Sequence, residues 1–449
     1  MRKILKGDTL KSRTMKGGAV ALAGFGAAQT IRLVSNLIMT RLLAPDAFGL
    51  MGVTLVLHIW IGMMSDLGID ASVVRSKNGE APEFLATART LQLARAALIA
   101  LLLVIGGLSL PALVEAGLLR EGSVFADPRL PVFIYSIAGA ALIAGLSAMR
   151  ISQHNRKLDL APVIRLELGS QVFSLVAMVA AAMAGAGVYA LAAGAIAAAV
   201  AKSAGSYVFL KGPPARFAFN RAHFDEIFGY GKWLLIASTF GFLMQRGDQL
   251  LFGWLFDLEV FSLYSIATIW IITARTVIET VQRRVATPAF AELHRERAHD
   301  MTRIYRKIRF SFEAGAIALF LGVILFGDMV IRVLYAPDYH GVAHYLKLLA
   351  VMLLLTPYRL LSAVLLTGGD SRRFTWITII PGAALFIGTP FVYRAYGADA
   401  AIVFAMLTPI AAQPFNWKFA SKFVKIDYMR ECAMIGVAIL AAALVLKFA

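Results

Sequence analysis

The sequence predicts an all-α polytopic membrane protein: two parallel six-helix repeats forming two lobes around a central cavity, plus an extra C-terminal helix. Three observations carry this reading. The chain is 59% hydrophobic and only 16% charged, with a mean hydropathy of +0.72, whereas a soluble domain sits nearer one quarter charged. Apolar runs of about 20 residues, the length that crosses a bilayer, follow one another along the whole chain. One hairpin sequence also returns in the second half.

Taken in order, the basic start (Arg2, Lys3, Lys6, Lys11, Arg13 and Lys16) precedes a long apolar run. That run carries Arg32 and continues to Thr40, so it reads as a retained first span rather than a cleaved leader. Spans are predicted over 17–43 and 46–69, joined by a tight turn at Ala44-Pro45-Asp46. Gln29, Arg32 and Asn36 fall at i, i+3, i+7 and share one face of the first. Thr54, His58, Gly62 and Ser65 share a face of the second. Four more spans follow over 86–110, 129–151, 162–184 and 187–210. Gly and Ala crowd the last two of these, as small residues do where helices pack closely.

The second half repeats the order over 226–255, 259–287, 305–334, 342–367, 372–395 and 398–420. A thirteenth span, 430–448, lies outside the repeat, with a docked interfacial helix as the rival reading. Leu42–Leu50 lines up with Leu255–Leu263. At the same offset Arg32 meets Gln245, Ser35 meets Asp248, Asn36 meets Gln249, Gly62 meets Arg275 and Asp66 meets Glu279. An even number of spans per half gives both halves the same polarity, an arrangement suited to two lobes rocking about a central site. The domain organisation is an N-terminal lobe over 1–210, a cytoplasmic linker over 211–225, a C-terminal lobe over 226–425 and the extra helix over 426–449.

Loop charges orient the chain. Lys and Arg gather in alternate loops: at Arg75 and Lys77, Arg156 and Lys157, Lys211, Arg216 and Arg221, the run Arg295 to Arg309, Arg372 and Arg373, and Lys418 to Arg430. The opposite loops are short and poor in cations, with Arg120, Arg129 and Arg394 the exceptions. A cytoplasmic N-terminus follows. The same rule accounts for most of the net charge of +17, and the remainder favours an anionic substrate. The basic residues are dispersed over many loops, which excludes a nucleic-acid module. The single cysteine, Cys432, permits no intramolecular disulfide and no cysteine metal cluster.

Ionisable residues inside spans are costly, roughly 2.5–3.5 kcal/mol each on insertion scales, and usually face a bundle interior or a wet cavity. On the seventh span Gln245, Asp248 and Gln249 share a face, with Arg246 on another. On the eighth, Thr268, Arg275, Glu279 and Gln282 form a stripe, and Arg275 and Glu279 can pair at i, i+4. That group reads either as an ion pair holding two helices or as a cavity lining for substrate or coupling ion. Arg359, beside Thr356 and Ser362, is a third deep cation, or else the cap of a helix broken near Pro357. Arg89, Arg95, Arg165, Lys202 and Lys232 lie nearer span ends and read as snorkelling chains, with an electrostatic gate for a diphosphate as the rival. His58 reads as a satisfied interior histidine, with proton coupling as the rival. His340 and His344 near Asp338 lack a third metal ligand. Gly229-Tyr230-Gly231-Lys232 lacks the spacing of a phosphate-binding loop, and neither GxSxG nor HExxH occurs. No enzyme activity, cofactor or metal is expected.

RLLAPDAFGLMGV, followed by SDLGIDASVVR, resembles the opening hairpin of bacterial polysaccharide-transporter proteins, the lipid-linked oligosaccharide flippases. These belong to the multidrug/oligosaccharidyl-lipid/polysaccharide exporter superfamily. The matching residues are Leu43, Pro45, Phe48, Gly49, Asp66-Leu67-Gly68 and Arg75, and LFGWLFDLEVFSLYSIA resembles the family's second half. The resemblance extends over about residues 15–425. It implies alternating access in the bacterial inner membrane and movement of an undecaprenyl-diphosphate-linked glycan between leaflets. It also implies that the first, second, seventh and eighth spans line the cavity, which selects Arg32, Asn36, His58, Asp248, Arg275 and Glu279. Gln245, Gln249 and Arg359 join them from the residue pattern alone. The expected partners are that glycan, membrane lipids, a coupling ion (Na+ or H+) and polysaccharide polymerase machinery. The rivals are a cation-coupled multidrug exporter of the same superfamily and a membrane glycan polymerase or ligase. Short opposite-side loops weigh against the last.

Overall fold

Apolar stretches of this chain become helix wherever they are predicted to span, because in a membrane each backbone N–H and C=O must be satisfied within its own segment. The structure, a computed structural model, describes residues 10–212, 216–282, 286–367 and 371–448, with the side chains of 10–17, 371–376 and some positions in 230–298 and near 367 excepted. Arg2, Lys3 and Lys6, part of the 211–225 linker and the side chains of Lys11, Arg13, Lys16, Arg295, Arg372 and Arg373 therefore lie outside the described residues. No strand occurs among the described residues.

Internal packing divides the chain into two units, Met1–Phe242 and Leu243–Ala449. The first holds α1 (Leu10–Leu42), α2 (Pro45–Met64), α3 (Ile69–Arg75), α4 (Pro82–Glu115), α5 (Leu130–Gly145), α6 (Arg150–Arg156), α7 (Leu160–Met183) and α8 (Ala190–Val208). The boundary falls inside α9 (Arg221–Leu255). The second unit continues with α10 (Leu258–Val281), α11 (Thr287–Glu296), α12 (Met301–Leu334), α13 (Val342–Leu355), α14 (Arg359–Thr367), α15 (Ser371–Leu407), α16 (Gln413–Ala420) and α17 (Tyr428–Phe448).

Proline fixes several starts. It stands in the first helical turn of α2, α4 and α5, where no intrahelical N–H is lost. The two hairpin turns of the repeat share a conformation. Ala44 precedes α2 at φ −76°, ψ 157°. Asp257, its equivalent, precedes α10 at φ −67°, ψ 156°. The fourth span of each half is broken: α5 and α6 are bent by 62°, and α13 and α14 are separated by a 3₁₀ turn over Thr356–Tyr358.

In the first unit α1 packs on α7, α4 on α5, and α7 on α8. Gly194 and Gly205 of α8 leave room for Met178 and Leu166 of α7, whose atoms stand 2.1 and 2.4 Å from where a Cβ would be. Leu101, Ile105 and Leu108 of α4 form an exposed apolar stripe, as a lipid-facing side should. Arg129, a basic exception in its loop, pairs with Asp127 at 2.9 Å and also with Asp46 at the start of α2. Burial pushes Asp127 up, but the hydrogen bonds and charge of Arg129 outweigh it and hold the carboxyl below its ordinary value.

Ten helical runs among the described residues are long and apolar enough to cross a membrane, eleven if α5 and α6 are one bent span. This is a multi-pass membrane protein. The sequence predicts thirteen spans, and each of those segments contains helix. Three physical features make up the difference. The fourth span is bent, α9 with Gln245, Arg246, Asp248 and Gln249 is not among the ten, and 377–420 forms one apolar run. That run turns at Gly397, whose φ of 83° lies in the left-handed region that glycine tolerates.

Candidate functional site

Arg275 and Glu279 stand one turn apart on α10, so their side chains meet on its surface. Arg275 Nε donates to Glu279 Oε1 at 2.6 Å, and Nη1 lies 3.5 Å from Met352 Sδ of α13. Arg359 Nη1 donates to the same Glu279 oxygen. Arg359 reaches it because Pro357 stops α13, and the chain restarts as α14 with Arg359 as its first residue. Gln282 Nε2, at 3.4 Å, approaches the Thr356 carbonyl exposed by that break. The structure thus joins Arg275, Glu279 and Arg359 into one group of two guanidiniums on one carboxylate. The Arg275 and Glu279 side chains are 16% and 19% exposed, and Arg359 remains 46% exposed.

Asp248 lies on α9. Its carboxylate accepts from Tyr264 Oη at 2.6 Å, and Arg246 and Arg275 lie within electrostatic reach. Gln249 is buried. Gln245, on the same helix, is exposed. Thr268 turns its hydroxyl back to the Tyr264 carbonyl at 2.8 Å, which leaves that oxygen engaged in its own helix.

In the first unit Arg32 is exposed on α1 and donates to Gln29 Oε1 at 3.2 Å. Asn36 is half-buried one turn further on. His58 is half-buried on α2, and its buried Nδ1 has no hydrogen-bond partner among the described residues. The end of that α2 face is closed by Arg95 from α4. Arg95 Nη2 donates to Gly62 O at 2.8 Å, Nε approaches Ser65 Oγ at 3.4 Å, and Nη1 lies 3.6 Å from Asp66. Arg95, read from sequence as a snorkelling chain, instead caps a helix C-terminus, where cations and N–H donors satisfy the last carbonyls.

Arg309 departs from its sequence reading. It groups by sequence with the loop cations that begin at Arg295, yet its side chain is only 3% exposed. It donates to Glu313 at 2.6 Å and to Glu431 of α17 at 3.1 Å, and Nη1 reaches Tyr305 Oη at 3.1 Å. Arg430 of α17 pairs with the second oxygen of Glu313. The available signal was the i, i+4 spacing of Arg309 and Glu313 inside a predicted span. His344, weighed as a metal ligand, lies 2.9 Å from Asp399, and no cluster of three metal-ligating side chains occurs among the described residues.

A family model described as polysaccharide biosynthesis protein matches residues 38–344. Amylovoran biosynthesis protein AmsL of Erwinia amylovora is 25% identical over 226 residues, 48% of this chain. The chain spans little more than half the length of that curated relative, 56%. Among solved structures, an inward-facing multidrug resistance MATE family transporter of the MOP superfamily is similar with a TM-score of 0.65 at 14% identity, covering 90% of this chain and 95% of the other. Lipid II flippase MurJ in its inward closed conformation is similar with a TM-score of 0.64 at 14% identity, covering 95% and 97%. At such identity the likeness is one of fold.

Proposed function

The chain belongs to the polysaccharide biosynthesis protein family, and from that premise we propose that it is a flippase for a lipid-linked oligosaccharide. The cargo would be an undecaprenyl-diphosphate-linked repeat unit of an exopolysaccharide or O-antigen. The observation that carries this reading is the group formed by Arg275, Glu279 and Arg359. A diphosphate needs forked, permanently charged donors, and guanidinium supplies them better than ammonium. A membrane interior tolerates such groups only when they are paired or face a wet cavity.

Glu279 acts in this reading as the resident counter-ion. It holds both arginines in place while no cargo is bound, and an arriving diphosphate competes for the same donors. Asp248, held by Tyr264, and the exposed Gln245 supply further polar groups for glycan or coupling ion. The protein would sit in the bacterial inner membrane with its N-terminus in the cytoplasm. It would do no bond chemistry, drawing on a Na+ or H+ gradient or on the cargo's own gradient, and would deliver its cargo to polymerase machinery.

A deletion strain tests this. The expected outcome is loss of surface polymer, accumulation of the lipid-linked repeat unit in the cytoplasmic leaflet and unchanged drug susceptibility. Arg275→Ala, produced at normal levels as folded protein, should fail to restore polymer. Normal polymer together with raised sensitivity to cationic drugs would instead favour the multidrug exporter.

A further inference from the structure

Arg89 lies on α4 and is 92% buried, at 8% relative exposure. Its Nε and Nη1 are enclosed and have no hydrogen-bond partner among the described residues. Two rings accompany the guanidinium: Tyr207, with its centroid 5.3 Å away, and Phe217 at 4.5 Å. Ring faces attract a cation but accept no full hydrogen bond from it. An enclosed cation with open donors is expensive unless something anionic completes it.

The surroundings are built and already satisfied. Tyr207 is fixed by its hydroxyl, which donates to Leu146 O at 2.5 Å. The carbonyls of Tyr207 and Leu210 at the end of α8 accept from Arg150 Nη1 at 2.7 and 2.9 Å, so their negative ends are engaged elsewhere. Glu226 is occupied by Ser76 Oγ at 2.5 Å and Asn78 Nδ2 at 3.3 Å, and Asp225 pairs with Arg221 at 3.1 Å. The segment carrying Phe217 is pinned to α4 by Thr90 Oγ1 donating to Ala218 O at 2.9 Å and by Asn220 N donating to Thr87 Oγ1 at 3.2 Å. Phe217 itself is 56% exposed, so a side-chain rotation uncovers the guanidinium without unfolding a helix. Lys211 and Arg216 are exposed in the same linker and make it cationic.

We propose that Arg89 is the receptor for a phosphate oxyanion of a membrane lipid, with the Tyr207 ring as a fixed wall and the Phe217 ring as a displaceable cover. The phosphate could belong to an ordinary anionic phospholipid or to a diphosphate-linked polyprenyl lipid. Only the second source rests on the flippase reading. The site is separate from the Arg275 group and lies wholly within the first unit.

The test is thermal unfolding of the full-length protein in detergent with three added lipids. These are dioctanoyl phosphatidylglycerol, farnesyl diphosphate and, without phosphate, dioctanoylglycerol. Tm should rise with one or both phosphate-bearing lipids and not with dioctanoylglycerol. In a background of Arg275→Gln and Arg359→Gln, which removes the donors of the other proposed diphosphate site, the rise should persist, and it should vanish there on adding Arg89→Gln. Phe217→Ala should lower the half-saturating lipid concentration several-fold. A rise with phosphatidylglycerol alone assigns the site to bulk lipid, and one with farnesyl diphosphate alone assigns it to a polyprenyl headgroup. No rise in the wild type, or a rise that survives Arg89→Gln in that background, overturns the proposal. Should Arg89→Gln fail to fold, an unchanged half-saturating concentration in Phe217→Ala overturns it instead. An Arg89-dependent rise in a protein that moves no glycan would leave this site standing while removing the flippase.

Discussion

The deep charges of this chain occur in groups, and each group sets a different cost for its removal. Arg309 is nearly sealed from solvent between Glu313 and Glu431. Arg309→Met leaves the buried Glu431 without its guanidinium partner and Glu313 with Arg430 alone, which should cost roughly 3–5 kcal/mol and lower Tm sharply in detergent. Arg430 also pairs with Glu313, but its side chain is 38% exposed. Arg430→Ala should therefore cost under about 1 kcal/mol. Equal losses from the two variants would show that the burial difference has no energetic meaning. The sequence made some of this legible. Arg275 and Glu279 stand at i, i+4, so their pairing follows from helix geometry. Arg359 reaches the same carboxylate from a position 80 residues away. No local pattern encodes that meeting, because it depends on where the break at Pro357 aims the restarted helix.

Between elements, arginines near helix ends serve as ties. Arg95 closes α2, Arg150 closes α8, and Arg156 Nη1 donates to the carbonyls of Val73, Val74 and Ser76 at the end of α3. Loop charge registers Arg156 as a topology signal and depth registers Arg95 as a snorkelling chain, and neither reveals that these residues cap helices. Helix α9 offers a sharper test of packing. A Cβ on Gly231 would lie 2.1 Å from the Leu67 carbonyl oxygen, a backbone atom with little freedom to retreat. A Cβ on Gly229 would meet nothing within 4 Å. Gly231→Ala should cost about 1–3 kcal/mol, read as a fall in Tm, while Gly229→Ala leaves Tm near the wild type. A neutral Gly231→Ala would mean that α9 does not approach Leu67 as closely as the structure has it. The hairpin turns were legible because Pro45 and Asp257 announce them between apolar runs. The break at Pro357 was legible from its proline, but the 62° bend between α5 and α6 was not, because hydropathy reports that a segment is apolar and not that it is straight.

At the scale of the molecule, composition and span order were enough to predict a multi-pass helical membrane protein, and the fold is similar to those of a MATE family transporter and of lipid II flippase MurJ. The C-terminal helix was legible as a span but not as a structural member. Sequence sets it outside the repeat, whereas α17 packs on α13 and α15 and supplies Glu431 to the buried charge group. What is carried is a matter of cavity chemistry, which neither span order nor fold likeness specifies. The most direct measurement is leaflet exposure of a labelled undecaprenyl-diphosphate oligosaccharide in proteoliposomes of the purified protein. The expected result is protein-dependent translocation that falls at least about tenfold in Arg275→Gln, equivalent to ~1.4 kcal/mol of lost interaction. Folded protein that leaves its verified native glycan in the original leaflet, with or without Na+ and H+ gradients, would contradict it.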